Sequence, residues 1–460
     1  MQYIKNNRYI CQNFSKTISI MLIQFTIRNF KTFKEKTVLN MVASNYDKST
    51  REKENISQQN DFNLRLLKSS VIFGANASGK SKFIEGLMFM KKFVIISSKD
   101  SQKGEPIEVE PFKLQTDSEK DSSEFEVIFL YKKAIFRYGF EVTNEKVISE
   151  WLYHRPKTKE VEIFYREKQK FEIHGRNFSK GAFLVKEDVI RENELMLSKA
   201  AQFNDKIAGK VIDWFKGLKT ISGLNVSGYQ GFTMSRTKDP KHKAKILELL
   251  KVADLGIQDI SLELLDVSKF PKDMPQELRD MISKKVKDEG AEFISDVLTT
   301  HKKYDGNKKY VGDIKFSLDD EESSGTKIFF ALTGPVLDSL ENGYVLVVDE
   351  LDSKLHPNLV CKLVSLFNSA EHNPNNAQLI FNTHDTNLLG SGLFRRDQIW
   401  FVEKDRIGVS KLFSLADFAV RKNENFENNY IEGKYGAIPY LNAFENLFNF
   451  KKQPNDENEK

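Results

Sequence analysis

A chain of 460 residues with 40% apolar and 29% charged side chains has material for two or three domains' worth of core, which excludes the disordered and fibrous classes. Its formal charge of +5 is too small to name a polyanionic partner, and its two cysteines, Cys11 and Cys361, stand in no metal or redox spacing. No apolar run approaches the ~18 residues that a membrane helix needs, so a cytoplasmic protein with no membrane partner is expected.

Residues 1–20 are polar and irregular and are expected to be an extension outside the fold. Lys5, Arg8 and Lys16 before Ile18 to Ile23 imitate a signal peptide. The alternation in Gln24-Phe25-Thr26-Ile27-Arg28, with no small-residue cleavage site, speaks for a strand instead. An edge strand and turn are predicted over 22–33, and a second strand over 37–42 followed by a loop. Next comes Val71-Ile72-Phe73, a buried strand that breaks into Gly74-Ala75-Asn76-Ala77-Ser78-Gly79-Lys80-Ser81 and a helical run with Phe83, Ile84, Leu87, Met88, Met90 and Phe93. The spacing G-x-x-x-x-G-K-S between a strand and a helix is a phosphate cradle. Its glycines let backbone N–H groups turn in on phosphates, Lys80 reaches the β and γ phosphates, Ser81 ligates Mg²⁺, and the helix dipole opens towards the same anion. Gly74, Asn76, Gly79, Lys80 and Ser81 are therefore the expected contacts to ATP and Mg²⁺.

Residues 21–100 thus read as the first part of an ATPase head. Short β-branched and aromatic runs at 125–131, 134–142, 147–154, 160–165 and 170–174 predict hairpins, and so an antiparallel β lobe over 101–185. Helical spacing at 205–218, 241–250 and 276–300 predicts a helical insertion over 186–305, with heptads too short for a coiled coil. Residues 306–450 alternate helix and strand as the second part of the head, and 451–460 form a polar tail.

Within that second part, Tyr344-Val345-Leu346-Val347-Val348-Asp349-Glu350 is a strand buried on both faces whose carboxyl end carries two acids, where parallel sheets bind ligands. Asp349 is expected to hold Mg²⁺ and Glu350 to polarise the attacking water. Upstream, Ser323-Ser324-Gly325-Thr326 opens a helical run whose free N–H groups suit an anion, such as a γ-phosphate held by another subunit. Asp352 stands where it could cross a dimer interface. Gln378-Leu379-Ile380-Phe381-Asn382-Thr383-His384 is a further buried strand, placed to expose His384 to the γ-phosphate. Taken singly, the Ser/Gly start is also a plain helix cap, and a strand-end histidine is most often a satisfied core residue.

The ordered set Gly74–Ser81, Ser323–Thr326, Val345–Glu350, Asp352 and His384 resembles an ABC-type ATPase head of the SMC, RecF and overcoming-lysogenization branch. Asn29-Phe30-Lys31, Asp349-Glu350-Leu351-Asp352-Ser353-Lys354-Leu355-His356-Pro357 and Asn382-Thr383-His384-Asp385 are similar to AAA-type ATPases of abortive-infection systems. Tyr430-Ile431-Glu432-Gly433-Lys434-Tyr435-Gly436-Ala437-Ile438-Pro439 is similar to the RloA/AbiLi branch, to which the AriA type is related. The resemblance implies an α/β fold: an ABC-ATPase-like head, that is a P-loop NTPase, with an antiparallel β lobe and an inserted helical region. It implies a homodimer or higher homo-oligomer around two ATP molecules, with Ser323 and Gly325 of one subunit completing the site of the other. Ser324 stands where ABC heads commonly carry Gly, and Thr326 where they carry Gln or Glu. Gln115, after Pro111-Phe112, is the candidate for the glutamine loop. The implied function is an ATPase of antiphage defence that controls a separately encoded effector, RloB-like or Toprim nuclease-like, in response to a phage trigger or nucleic acid. The alternative is a DNA-repair or chromosome-maintenance ATPase acting on duplex DNA. A nuclease on the same chain is not expected, since no D-x-D pair follows His384.

Overall fold

A computed structural model describes residues 20–98, 102, 104–253, 255–264, 270, 274–289, 294–420 and 424–439. Apart from Ile20, the expected N-terminal extension lies outside the described residues, as does the polar tail. In chain order, β1 (Ile20–Arg28) and β2 (Thr37–Asn40) are followed by β3 (Ser69–Phe73), the glycine loop and α1 (Lys80–Ile96). Five strands come next: β4 (Ser123–Tyr131), β5 (Ala134–Val142), β6 (Val147–Arg155), β7 (Val161–Glu167) and β8 (Lys170–Ile173). They pair antiparallel as successive hairpins and dock onto β1, giving a seven-stranded sheet in the order β8-β7-β6-β5-β4-β1-β2. β1 is therefore an interior strand and not the edge strand expected. Both of its faces are covered, Phe25 and Ile27 towards α1, Met21 and Ile23 against Leu66, Leu130 and Ile135.

The second half builds a largely parallel sheet. α2 (Lys206–Gly217) feeds β9 (Leu218–Ser222), and α3 (Ser227–Arg236) and α4 (Pro240–Val252) lead to β10 (Ile257–Leu264), β11 (Ile294–Tyr304) and β12 (Tyr310–Ser317), an antiparallel unit. α5 (Ser324–Asn342), β13 (Val345–Asp349), α6 (Pro357–Phe367), β14 (Gln378–Asn382), β15 (Ile399–Lys404) and β16 (Ser410–Ser414) close the head. The order is β9-β13-β14-β3-β15-β16, parallel except for the final hairpin. Two readings need correction here. The helix predicted over 276–300 ends at Glu289; the β-branched Val297, Thr299 and Thr300 lie in β11. Leu218–Ser222, inside the stretch expected to be helical, is a strand alongside β13.

Strand alternation divides the central sheet between two cores. Ile72, Val345, Val347, Ile380, Trp400 and Val402 face α1, which is sandwiched against the antiparallel sheet through contacts such as Phe25–Phe83 and Phe93–Phe140. Val71, Phe73, Leu346, Val348, Phe381 and Phe401 face the other way, into a layer with Phe329, Phe330, Val360 and Leu363 of α5 and α6. Gln378 stitches the sheets together from complete burial: its side-chain oxygen accepts from Leu22 N (2.6 Å), and its amide donates to the carbonyls of Leu22 (3.1 Å) and Leu67 (2.8 Å). Among the described residues no helix is long and apolar enough to cross a membrane.

Candidate functional site

β3 ends in the glycine loop because two of its positions accept no side chain. A Cβ on Gly74 would stand 2.4 Å from the Val402 carbonyl oxygen, and one on Gly79 2.6 Å from Ser410 Oγ and 2.8 Å from Thr32 Oγ1. Gly79 also has φ +118°, in the left-handed region that favours glycine. Ser410 Oγ donates to the Ser78 carbonyl, so the β16 strand clamps the loop from outside. These are the features a phosphate cradle needs: a backbone curl with no Cβ, opening at a helix N-terminus.

Lys80 is 5% exposed and folds back over the loop, its Nζ donating to Gly74 O (2.7 Å) and Ala75 O (3.1 Å). Burial pulls its ammonium down to about 8, opposed by the negative charges of Glu350, Asp352 and Asp349. Its Nζ lies 3.5 Å from His384 Nδ1. With a protonated lysine as donor, Nδ1 is the acceptor and the imidazole proton sits on Nε2.

Because β14 lies between β13 and β3, all three parallel, their carboxyl ends bring Asp349, Glu350 and His384 beside the loop. Asn382, the last residue of β14, ties the acids together. Its Nδ2 donates to Asp349 Oδ1 (2.6 Å), and its Oδ1 accepts from the backbone N–H of Glu350. Glu350 has φ +58°, a conformation that costs a non-glycine residue about 1 kcal/mol and persists only where its surroundings enforce it. Gly223, just beyond β9, completes the support. Its N–H donates to the Asp349 carbonyl (2.7 Å), and a Cβ there would stand 1.9 Å from Glu350 O. Neither Asn382 nor Gly223 was given a role by the sequence reading. The signals for Asn382 were its place at the end of an apolar strand and in the Asn382-Thr383-His384-Asp385 motif, neither of which gives it a role, and Gly223 offered none.

Asp352 folds back onto its own chain, Oδ2 accepting from His384 N (3.1 Å), while its buried Oδ1 has no hydrogen-bond partner among the described residues. Ser323 caps α5, its Oγ accepting from Thr326 N (3.1 Å) and lying 2.9 Å from Thr326 Oγ1. Thr326 is therefore buried as part of the cap, whereas Ser323 and Ser324 are exposed. Gly325 packs against the turn after Glu350: a Cβ would stand 2.9 Å from Lys354 O. Among the described residues no hydrogen bond joins Ser323 or Gly325 to the glycine loop of the same chain. Gln115 accepts from Lys34 Nζ and makes no hydrogen bond to that loop either. Mg²⁺ takes oxygen ligands and keeps few from protein when it binds nucleotide, and here the Asp349 carboxylate and the Ser81 hydroxyl are the groups that would supply them.

The family described as "AAA domain, putative AbiEii toxin, Type IV TA system" matches residues 69–390. No curated protein matches the chain. Among solved structures, the SMC head domain from Thermotoga maritima is similar at 13% identity and a TM-score of 0.39, covering 85% of this chain and 98% of that one. The Smc head with an extended coiled coil bound to the C-terminal domain of ScpA, from Pyrococcus furiosus, follows at 12% identity and 0.34, covering 86% and 96%. CbiO1 from Clostridium perfringens, part of an ABC transporter complex, is similar at 12% and 0.26, covering 86% and 96%.

Proposed function

This chain belongs to the AbiEii-related AAA-domain family, and from that premise we propose that it binds and hydrolyses ATP at Gly74–Ser81 and uses the cycle to control a partner protein in antiphage defence. The observation that carries the reading is the convergence of Lys80, Asp349, Glu350 and His384 at the carboxyl ends of three adjacent parallel strands. Phosphate oxygens compete with the Gly74 and Ala75 carbonyls for Lys80 Nζ, exchanging two neutral acceptors for a charged one. Glu350 orients and deprotonates the attacking water, and His384 donates to the γ-phosphate. Ser81 and Asp349 would hold Mg²⁺, which supplies charge neutralisation on the phosphates.

Ser323 and Gly325 are read as belonging to the site of a second copy, since Ser323 is exposed at the start of α5, Gly325 half-buried beside it, and among the described residues neither hydrogen-bonds to its own loop. The defence role and the separate effector, RloB-like or Toprim nuclease-like, are supported by the family and by the 430–439 stretch. Tyr430 and Tyr435 of that stretch stack on Phe401 (5.2 and 5.6 Å), and Tyr430 also meets Phe73 (6.1 Å), the residue that leads into Gly74. A partner gripping this stretch is one ring away from the loop.

Glu350→Gln should bind ATP normally while turnover falls by about 10²-fold or more. Lys80→Ala should lose nucleotide binding. Near-wild-type turnover in the first variant, measured as phosphate release, would remove Glu350 from the chemistry; normal ATP affinity in the second would remove the loop.

A further inference from the structure

The tip of the β11–β12 hairpin takes no part in the contacts described so far. Residues 302–311 at its tip are exposed without exception. Alternation turns Val297 and Thr299 inwards, both buried, along with His301, whose Nε2 meets Glu322 Oε1 at 2.6 Å and anchors the hairpin base. Thr300, Lys302 and Tyr304 accordingly point outwards, and their cross-strand partners on the same face are Lys315, Asp313 and Tyr310. The Tyr304 and Tyr310 rings are 54% and 51% exposed, with centroids 6.3 Å apart and planes at 74°.

Over residues 294–317 five lysines stand against three acids, an excess of positive charge. The three acids are each hydrogen-bonded locally: Asp296 Oδ1 accepts from Val297 N (2.7 Å), Asp305 Oδ1 from the Asn307 and Lys309 N–H groups (2.9 Å each), and Asp313 Oδ1 from the Tyr310 hydroxyl (3.0 Å). Among the described residues, Lys302, Lys303, Lys308, Lys309 and Lys315 form no ion pair. Lysines alone would be the ordinary protection of a sheet edge. The Tyr304–Tyr310 pair supports the hairpin as cross-strand aromatic pairs do, yet each ring keeps about half of its surface open on the same face as Lys302 and Lys315.

We propose that the outward face of the β11–β12 hairpin binds single-stranded nucleic acid, with Tyr304 and Tyr310 as stacking platforms and Lys302, Lys315 and the tip lysines on the phosphates. Phosphodiester charge answers the unpaired ammonium groups, and unstacked bases answer the rings. A duplex offers no free base face to a tyrosine, so the rings select single strands.

The full-length protein, without nucleotide so that the outcome is independent of ATP turnover, is titrated into fluorescein-labelled oligothymidylate, oligouridylate and a duplex, each about 15 nucleotides long, and anisotropy is read at several salt concentrations. Single strands should bind about tenfold or more tighter than duplex, with affinity falling as salt rises. Lys302→Glu with Lys315→Glu should weaken single-strand binding about tenfold. Tyr304→Ala with Tyr310→Ala should weaken it about fivefold to a hundredfold while leaving duplex binding in place. Tighter binding of one oligomer identifies DNA or RNA as the natural source. Equal affinity for duplex, wild-type binding in either double variant, or capture of polyglutamate in preference to the oligonucleotides would overturn the proposal.

Discussion

Asn382 shows how one amide sets two carboxylates. Its Nδ2 fixes Asp349 and its Oδ1 holds the Glu350 N–H, at the residue whose φ of +58° needs enforcing. Asn382→Ala removes both bonds without touching the loop, so ATP affinity should stay within a few-fold while kcat falls about 10- to 100-fold, the usual cost of losing a group that orients a ligand-bearing carboxylate. Unchanged kcat would mean that the acids are held by Gly223 and the strand alone. Lys80 carries a pH dependence whose sign is fixed. Its folded value of about 8 lies below the ordinary 10.5, so between pH 8 and 10.5 the unfolded chain binds more protons and Lys80 makes stability rise with pH. Lys80→Met lacks that contribution. The difference in thermal midpoint between wild type and variant should therefore shift in favour of wild type from pH 7 to pH 10; a constant difference would show that the ammonium is not desolvated.

At the scale of elements, α5 contains Pro335, which has no N–H for the Ala331 carbonyl. Thr233 of α3 fills that vacancy from complete burial, donating its hydroxyl to Ala331 O at 2.6 Å, and Gly334 lets it approach: a Cβ there would stand 2.3 Å from Thr233 Oγ1. Thr233→Val keeps the volume and strands the carbonyl, which should destabilise the protein by about 1–3 kcal/mol in denaturant unfolding. Such pairings explain what could be read from the sequence and what could not. The glycine loop, the buried strand ending in Asp349-Glu350 and the Ser323 cap were legible because each is a local pattern of a few residues. Asn382 and Gly223 were not, because their roles depend on β14 and β9 flanking β13, an order that no local pattern encodes. β1 was misread as an edge for the same reason: its second neighbour, β4, begins only at Ser123. The strand at Ile294–Tyr304 was lost by extending the helical period of Gln276–Glu289 past its end.

For the whole molecule, the arrangement of turns argues for a shared site. Gly325 rests on the turn that carries Asp352, so the Ser323 cap adjoins that turn, and among the described residues neither Ser323 nor Gly325 hydrogen-bonds to the loop of the same chain. Ser323→Asp tests this arrangement without breaking the fold. Aspartate is as good an N-cap as serine, so α5 should be kept, but its charge would face the phosphates of a partner's nucleotide. The variant should fold with a thermal midpoint near wild type, bind ATP, and turn over about tenfold or more slowly, since each copy then spoils the other's site. Mixed with Lys80→Ala subunits, it should regain activity. In such a heterodimer one site pairs an intact loop on the Ser323→Asp chain with the native Ser323 of the Lys80→Ala chain, and that site alone can work. Mixing should approach about half the wild-type rate per heterodimer, provided the sites act independently. If turnover in the mixture stays at the sum of the two separate variants while heterodimers are present by mass, Ser323 acts only within its own chain and the site is complete in one copy.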